Sequence, residues 1–430
     1  MRLRLSEPEW SAFADALCER TDVESAGVLL AEVRGEVLVA RHLRVVPEDG
    51  YLIRRRDQLR IDPVALNRLV RPARDEGLAI LTVHTHPRTL KPWFSLADDA
   101  GDARLMPSFF AQTPGPHGSI VLAGETRAAC GRIWSQCDSV PASLAVGVVG
   151  RTVRGGDAPP APEGAWFDRQ VLALGEHGHR ILRDLHVGIV GLGGTGSAVL
   201  VQLAHLGVGK LTLVDGDRVE ASNVSRVLGA RAADVGNAKV DVASRYVRAL
   251  GLGCSVTTAC GHLGGDVGVE MLACCDVVVS CVDRHSPRAI LNRMAYHELV
   301  PVVDLGTAFR VNATGSITAG AGRVVVVGPG RPCLACWGHV DPDRLRIEAM
   351  TPEERAERIA EGYFSGADVP QPSVVAFNTS VAGAAVVEIL RLVTGFAGAA
   401  DPPDRLAFDF VTGEVRRNAL APTSCRICAG

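Results

Sequence analysis

Between residues 187 and 215 lies the pattern that most restricts how this chain folds. A short apolar run, 187–190, leads into Gly191-Leu192-Gly193-Gly194-Thr195-Gly196-Ser197. A helical stretch over 197–206 follows, then a second apolar run, 211–214, that stops at Asp215. Strand, glycine turn, helix and strand in so short a span make a βαβ unit. Gly191, Gly193, Gly194 and Gly196 let the backbone turn tightly and approach a phosphate at a helix N-terminus. Asp215, at the end of the second strand, is where a carboxylate binds a ribose hydroxyl. Runs at 277–282 and 300–304 read as further buried strands, and 377–393 as a long helix. The expectation is an α/β fold with a Rossmann-like, doubly wound parallel sheet and helices on both faces. A glycine loop of this kind also suits NAD or FAD.

The residues around the loop are less generic. Phe167-Asp168-Arg169-Gln170 precedes it, and Asp215, Asp217, Asn223, Arg226, Lys239 and Asp283 follow. A nicotinamide site needs no pair of bases and extra acid around a pyrophosphate. A triphosphate attacked at its α-phosphate does: Arg226 and Lys239 neutralise charge, and Asp283 holds Mg²⁺. From about residue 166 to the end, these motifs closely resemble the ThiF/MoeB family, the adenylating core of ubiquitin-activating enzymes. The resemblance rests above all on Asp215, Asp217, Val219, Ser222, Asn223 and Arg226 in that spacing. It implies that Asp215 binds ribose beside Asp217, and that Asn223, Arg226 and Lys239 contact phosphates. It further implies that Asp283 coordinates magnesium, and that Arg169 is an arginine finger reaching into a partner's site, hence a homodimer. The implied reaction joins a protein's C-terminal carboxylate to the α-phosphate of ATP.

The chain has 430 residues, more than one typical core organises, so two domains are expected. Residues 155–164 are dominated by Gly and Pro without apolar periodicity and read as a linker. The division is therefore 1–150, a linker over 151–165, and 166–430. Ahead of the linker, 26–33, 35–45, 78–83 and 119–123 read as strands and 62–76 as a helix, a mixed α/β layer.

That first domain carries His84-Thr85-His86-Pro87, then Ser95 and Asp98, in the order H-x-H-x8-S-x2-D. Histidines at i and i+2 on a strand point to one side, so both imidazoles reach one cation. Asp98 supplies an oxygen ligand; Asp99 adjoins it and Asp102 is near, and spacing favours Asp98. Three protein ligands leave a fourth position for water, as in catalytic zinc sites, where the metal lowers the water's pKa toward ~7. Glu24, just before a strand, is the candidate base, and Ser95 the donor to a developing oxyanion. Over roughly residues 1–140 this set resembles the JAMM (MPN+) metallopeptidases. The resemblance implies zinc on His84, His86 and Asp98, Glu24 as general base and Ser95 as oxyanion helper. It also implies cleavage of bonds beside the C-terminal tail of ubiquitin or its relatives.

Cys333 and Cys336, and Cys425 and Cys428, form two C-x-x-C knuckles. Four thiolates so spaced make a closed structural zinc site. Many relatives carry an acyl-accepting cysteine between the first knuckle and the long helix. Here Trp337 to Val375 contains none. Adenylation without a cysteine intermediate is favoured, with Ser373 as the hydroxyl alternative; Cys274, Cys275 and Cys281 read as core. The net charge of −3 leaves no footprint for nucleic acid or an anionic membrane, and no ~20-residue uninterrupted apolar span is evident. The expected location is cytoplasmic.

Together these readings imply a bifunctional enzyme that processes and activates a ubiquitin-like protein ending in glycine. Zn²⁺ (one catalytic, one structural), ATP and Mg²⁺ are its cofactors, and a downstream carrier or conjugating protein its further partner. Fusions of this kind resemble bacterial ubiquitin-like conjugation systems, some linked to phage defence. The alternatives are activation of a sulfur carrier for cofactor biosynthesis, an NAD- or FAD-dependent oxidoreductase with an accessory metal domain, and an inert scaffold.

Overall fold

The computed structural model describes residues 1–151, 153–154, 165–351, 353–354, 357, 372–398, 403–420 and 425–428. The Gly/Pro-rich stretch 155–164 and most of 352–371 lie outside the described residues. The chain divides into two compact units, Met1–Asp157 and Ala158–Gly430.

Unit 1 is built on eight strands: β1 (Arg2–Ser6), β2 (Ala26–Arg34), β3 (Val37–Val45), β6 (Ala79–His86), β7 (His117–Ala123), β8 (Ala129–Trp134), β9 (Ala142–Val149) and β10 (Val153–Arg154). A small hairpin, β4 (Tyr51–Arg54) and β5 (Leu59–Ile61), stands apart from it. The order is β1-β3-β2-β6-β7-β8-β9-β10, and β1 also pairs with β9, so the sheet curls back on itself. Three helices cover it: α1 (Glu7–Cys18), α2 (Pro63–Glu76) and α3 (Leu96–Phe110). Strand alternation decides which helix meets which residue. Leu29, Leu81 and Val83 pack with Trp10, Phe13 and Leu17 of α1. Val28, Leu30 and Ile80 pack with Leu66 and Val70 of α2 and Met106 and Phe109 of α3. His84 and His86 share the parity of Ile80, so they leave β6 on the side of α3.

In unit 2, α4 (Asp168–Asp184) precedes β11 (His186–Val190), α5 (Gly194–His205), β12 (Lys210–Val214), α6 (Lys239–Leu250) and β13 (Ser255–Ala259). Then come α7 (Glu270–Ala273), β14 (Val277–Ser280), α8 (His285–His297), β15 (Val302–Val311) and β16 (Ile317–Val327). Last are α9 (Pro342–Glu348), α10 (Val375–Thr394), β17 (Arg405–Asp409) and β18 (Glu414–Asn418). The sheet order is β13-β12-β11-β14-β15-β16-β17-β18. The first five strands are parallel. The last three are antiparallel, which corrects the all-parallel expectation to a mixed sheet. The reason lies in β15, which runs on through Arg310 and Val311 and then folds back through an Asn312–Ser316 turn. A return that short makes a hairpin, and parallel pairing needs a long crossover. The 300–304 run is only the buried start of this strand.

Helix α10 is long and apolar enough to cross a membrane by length and composition, although Asn378, Glu388 and Arg391 interrupt its apolar run. Its apolar face, including Val381, Ala385, Ile389 and Leu392, is buried inside unit 2.

Candidate metal and nucleotide sites

In unit 1 the end of β6 carries the histidines, and α3 brings the carboxylate. Ser95 caps α3: its hydroxyl accepts from Asp98 N at 3.3 Å, and Asp98 Oδ2 accepts from Ser95 N at 2.6 Å. This capping box turns the Asp98 side chain back toward the loop. Asp98 Oδ1 then lies 3.0 Å from His84 Nε2, Oδ2 lies 3.4 Å from His86 Nε2, and the two Nε2 atoms are 3.3 Å apart. A tetrahedral zinc with ligands at about 2.05 Å has ligand edges of about 3.3 Å; the separation of the two Nε2 atoms matches that edge, and the Asp98 oxygens lie close to it. Burial opposes ionisation of Asp98, but hydrogen bonds from the two imidazoles overcome it and hold the carboxyl far below the usual range. Asp99 and Asp102 are engaged by Arg132 instead, which separates them from the histidines.

Glu24 stands two residues before Ala26, and Ala26 pairs with His84. The antiparallel ladder thus sets Glu24 level with His86. Its backbone is pinned by Glu24 N to Arg55 O at 2.8 Å and by Arg54 Nε to Glu24 O at 3.1 Å. Burial pushes its carboxyl up to about 7, against the pull of His84 and His86. Ser95 donates its own hydroxyl to Asp98 Oδ2 at 2.8 Å, so here it orients the carboxylate.

In unit 2 the glycine loop joins β11 to α5. Gly191 has φ 87°, and a side chain there would strike the Cys281 carbonyl; one on Gly196 would strike the Gly191 carbonyl. Gly193 differs: nothing lies within 4 Å of where its Cβ would stand. The loop is crowded on the protein side and open on the other, as a phosphate cradle requires. The buried Asp215 carboxylate accepts from Leu192 N at 2.5 Å and Asp217 N at 2.7 Å, tying the next strand to the loop. Burial raises its pKa against the pull of Lys239. Lys239, first residue of α6, pairs with Asp217 Oδ2 at 2.7 Å. Leu228 N donates to Ser197 Oγ at 3.0 Å, which lays the Asn223–Arg226 turn along the start of α5. Asn223 is buried and donates to Ser222 Oγ; Arg226 is half-buried and donates to Ser222 O at 2.7 Å. Asp283 is exposed just past β14.

Arg169 is not brought to this loop within the chain. Its neighbour Gln170 donates to Leu206 O at 3.0 Å, and Phe167 fills the space over Gly207. Both anchors lie at the C-terminal end of α5, whose twelve residues separate them from Gly194 by about 18 Å.

One contact at the loop was missed in sequence. The buried Asn378 of α10 packs against Gly194, donates to Ser373 Oγ at 3.0 Å and accepts from Thr307 Oγ1 at 3.2 Å. An amide in a largely apolar helix was its only signal. The partner of Ser373 is thus an amide, which takes up no proton. Of the three cysteines read as core, Cys275 is buried, Cys281 is half-buried and Cys274 is exposed.

The four knuckle sulfurs converge. Cys333 Sγ lies 3.7 Å from Cys336 Sγ and 3.6 Å from Cys425 Sγ, and Cys336 Sγ lies 3.6 Å from Cys428 Sγ. A zinc tetrahedron with Zn–S about 2.3 Å has edges of about 3.8 Å, so the cluster suits that ion.

Two family models match the chain. The model of the ThiF family matches residues 167–427, and that of prokaryotic homologs of the JAB domain matches 6–135. The chain is 33% identical over 172 residues to the molybdopterin-synthase adenylyltransferase of Salmonella typhimurium, covering 40% of this chain and 66% of that protein. It is 32% identical over 163 residues to the SAMP-activating enzyme E1 of Haloferax volcanii, covering 38% and 57%. The chain thus spans less than two thirds of the length of these relatives. A crystal structure of E. coli MccB with MccA-N7isoASN shares the fold, with a TM-score of 0.51 at 17% identity, over 63% of this chain and 76% of that one.

Proposed function

The chain belongs to the ThiF family and carries a JAB-type domain ahead of its ThiF domain, and from that premise we propose that it processes and activates a ubiquitin-like protein. The ThiF half adenylates the protein's C-terminal glycine. A carboxylate oxygen attacks the α-phosphate of ATP, the bond to the β-phosphate oxygen breaks, and pyrophosphate leaves. The chain's work is positioning and charge neutralisation. Glycine-loop amides hold phosphate, and Asp215 reaches the ribose. Asn223, Arg226 and Lys239 offset the triphosphate charge, with Asp217 holding Lys239, and Asp283 takes the magnesium. The observation that carries this reading is Lys239, held by Asp217 beside the Asp215 latch on the loop. An ammonium there adds to the charge neutralisation that a triphosphate demands beyond a pyrophosphate.

The JAB half cleaves at the tail of the same protein. His84, His86 and Asp98 would hold a zinc ion, which would supply a Lewis acid and lower the pKa of a water. Glu24, with its raised pKa, takes a proton, and Ser95 steadies Asp98 before any donation to substrate. The second zinc, on Cys333, Cys336, Cys425 and Cys428, is structural. The fixed distance between Arg169 and its own loop supports a role in a second copy's site, hence a homodimer. The amide partner of Ser373 and the cysteine-free crossover support release of the acyl-adenylate to a separate carrier or conjugating protein. The reading places the enzyme in the cytoplasm, within a bacterial ubiquitin-like conjugation system with a role in phage defence.

The test uses a ubiquitin-like protein with residues added after its terminal glycine. The chain should trim it, as read by mass, and only the trimmed form should support ATP–pyrophosphate exchange. Exchange without trimming would remove the peptidase half of the proposal. Accumulation of a thiocarboxylate when a sulfur donor is supplied, with no conjugates, would favour the sulfur-carrier alternative.

A further inference from the structure

Arg132 belongs to none of the motifs above, yet its side chain reaches across the unit 1 site. It lies on β8, and its side chain is 14% exposed. Nη2 and Nε both donate to Asp102 Oδ2, at 2.6 and 2.9 Å, and Nη1 donates to Asp99 Oδ1 at 2.5 Å. The guanidinium also stacks over the Phe94 ring, 3.9 Å from its centroid. Asp99 and Asp102 flank Asp98 on its C-terminal side, and Phe94 precedes Ser95. One planar group therefore grips both ends of the short segment that carries Ser95 and Asp98.

What Arg132 is attached to matters equally. It pairs with Ser119 across the β7–β8 ladder, and Ser119 donates to the same Asp102 oxygen at 2.5 Å. Ser119 in turn pairs with Thr82 of β6, the strand that ends in His84 and His86. The backbone ladder fixes Arg132 relative to the two histidines. Helix α3 has no such ladder: the chain reaches its first turn from β6 through the loop 87–95, and its core packing against β6 lies further along, at Met106 and Phe109. The capping box at Ser95 is local and orients Asp98 relative to α3 alone.

We propose that Arg132 is a positioning residue that transmits the register of the sheet to the first turn of α3, so that the Asp98 carboxylate stays within ligating distance of His84 and His86. The fork geometry is essential. Guanidinium reaches two carboxylates and an aromatic face at once, whereas an ammonium is a point charge. The inference rests on the zinc reading of His84, His86 and Asp98, and the test keeps the two apart.

The experiment measures zinc in the full chain by chelator competition, with thermal melting as a folding control. Wild type should hold two zinc ions, and Asp98→Ala one; if wild type holds only one and Asp98→Ala changes nothing, the zinc reading itself fails. With two established, Arg132→Met should lower affinity at the histidine site by about 10- to 100-fold, the range for outer-shell partners of metal ligands. The zinc on the four knuckle cysteines should be retained. Arg132→Lys should restore only part of the loss. Asp99→Asn removes the exposed half of the clamp without stranding a buried charge, and should weaken zinc by up to about fivefold. In cobalt-substituted chain, Arg132→Met should shift the visible bands of the histidine site, a signature that loss of fold stability alone would not produce. Folded Arg132→Met with wild-type affinity and spectrum overturns the proposal. If Arg132→Met does not fold, Asp99→Asn decides: weakened zinc supports the proposal and unchanged zinc overturns it.

Discussion

Two alanine substitutions, at Gly193 and Gly196, separate packing from ligand contact at the glycine loop. At Gly193 the backbone has φ −70° and ψ −155°, which any residue adopts, and no atom lies within 4 Å of the new methyl. Gly193→Ala should therefore leave stability within about 0.5 kcal/mol of wild type, as an unopposed substitution does. It should even gain a few tenths of a kcal/mol from the stiffer unfolded chain. On the proposed reading the open space takes the phosphates, so the methyl should raise the ATP requirement at least tenfold, about 1.4 kcal/mol of binding. At Gly196 the methyl meets the Gly191 carbonyl, a backbone atom that cannot step aside. Gly196→Ala should cost about 1–3 kcal/mol, as overpacking does. Urea unfolding and the ATP dependence of pyrophosphate exchange read the two effects independently. Gly193→Ala with unchanged ATP dependence would refute the assignment of that space to phosphate.

Other outcomes follow from the two units. Trimming of the extended substrate should rise with pH through about 7, because Glu24 acts as a base only once deprotonated and burial raises its pKa. Glu24→Gln should be flat with pH and about 10²–10⁴-fold slower, measured as initial rates. Asp304 is fully buried between Arg288 at 2.9 Å and Arg323 at 3.2 Å. Burial works to raise its pKa, the two guanidinium groups more than offset it, and the carboxyl is held below its usual range. Its stabilisation is thus present at neutral pH and lost as pH falls below the ordinary carboxylate value. Asp304→Asn should cost about 3–5 kcal/mol in urea unfolding at neutral pH, since it leaves the buried Arg288 and the half-buried Arg323 without their counter-charge. Cys428→Ser should lose the structural zinc and leave the histidine zinc in place, as counted by metal analysis.

The parts of this protein that were legible in sequence are those whose chemistry is local. A glycine loop between two apolar runs, two histidines at i and i+2, and paired cysteines each declare themselves within a few residues. Strand alternation then put His84 and His86 on the side of α3, and the capping box turned Asp98 toward them. What stayed hidden depends on pairing across the chain. The antiparallel strands β16, β17 and β18 have no βα rhythm, and β18 is largely exposed, so no apolar run marks it. Arg132 and Asn378 are ordinary residues until β8 and α10 are laid beside α3 and α5. Arg169 was legible only as part of a motif: Phe167 and Gln170 anchor its segment at the end of α5 away from its own loop, and the site it was expected to serve belongs to a second copy.

On the proposed reading, unit 2 activates the tail of a small protein at the expense of ATP. Pyrophosphate exchange in the full chain, with and without a ubiquitin-like protein ending in glycine, tests it most directly. The account predicts exchange that depends on that protein, that is lost when its terminal carboxylate is amidated, and that falls with Lys239→Met. Exchange that ignores the protein's tail, or nucleotide binding that prefers NAD to ATP, would contradict it.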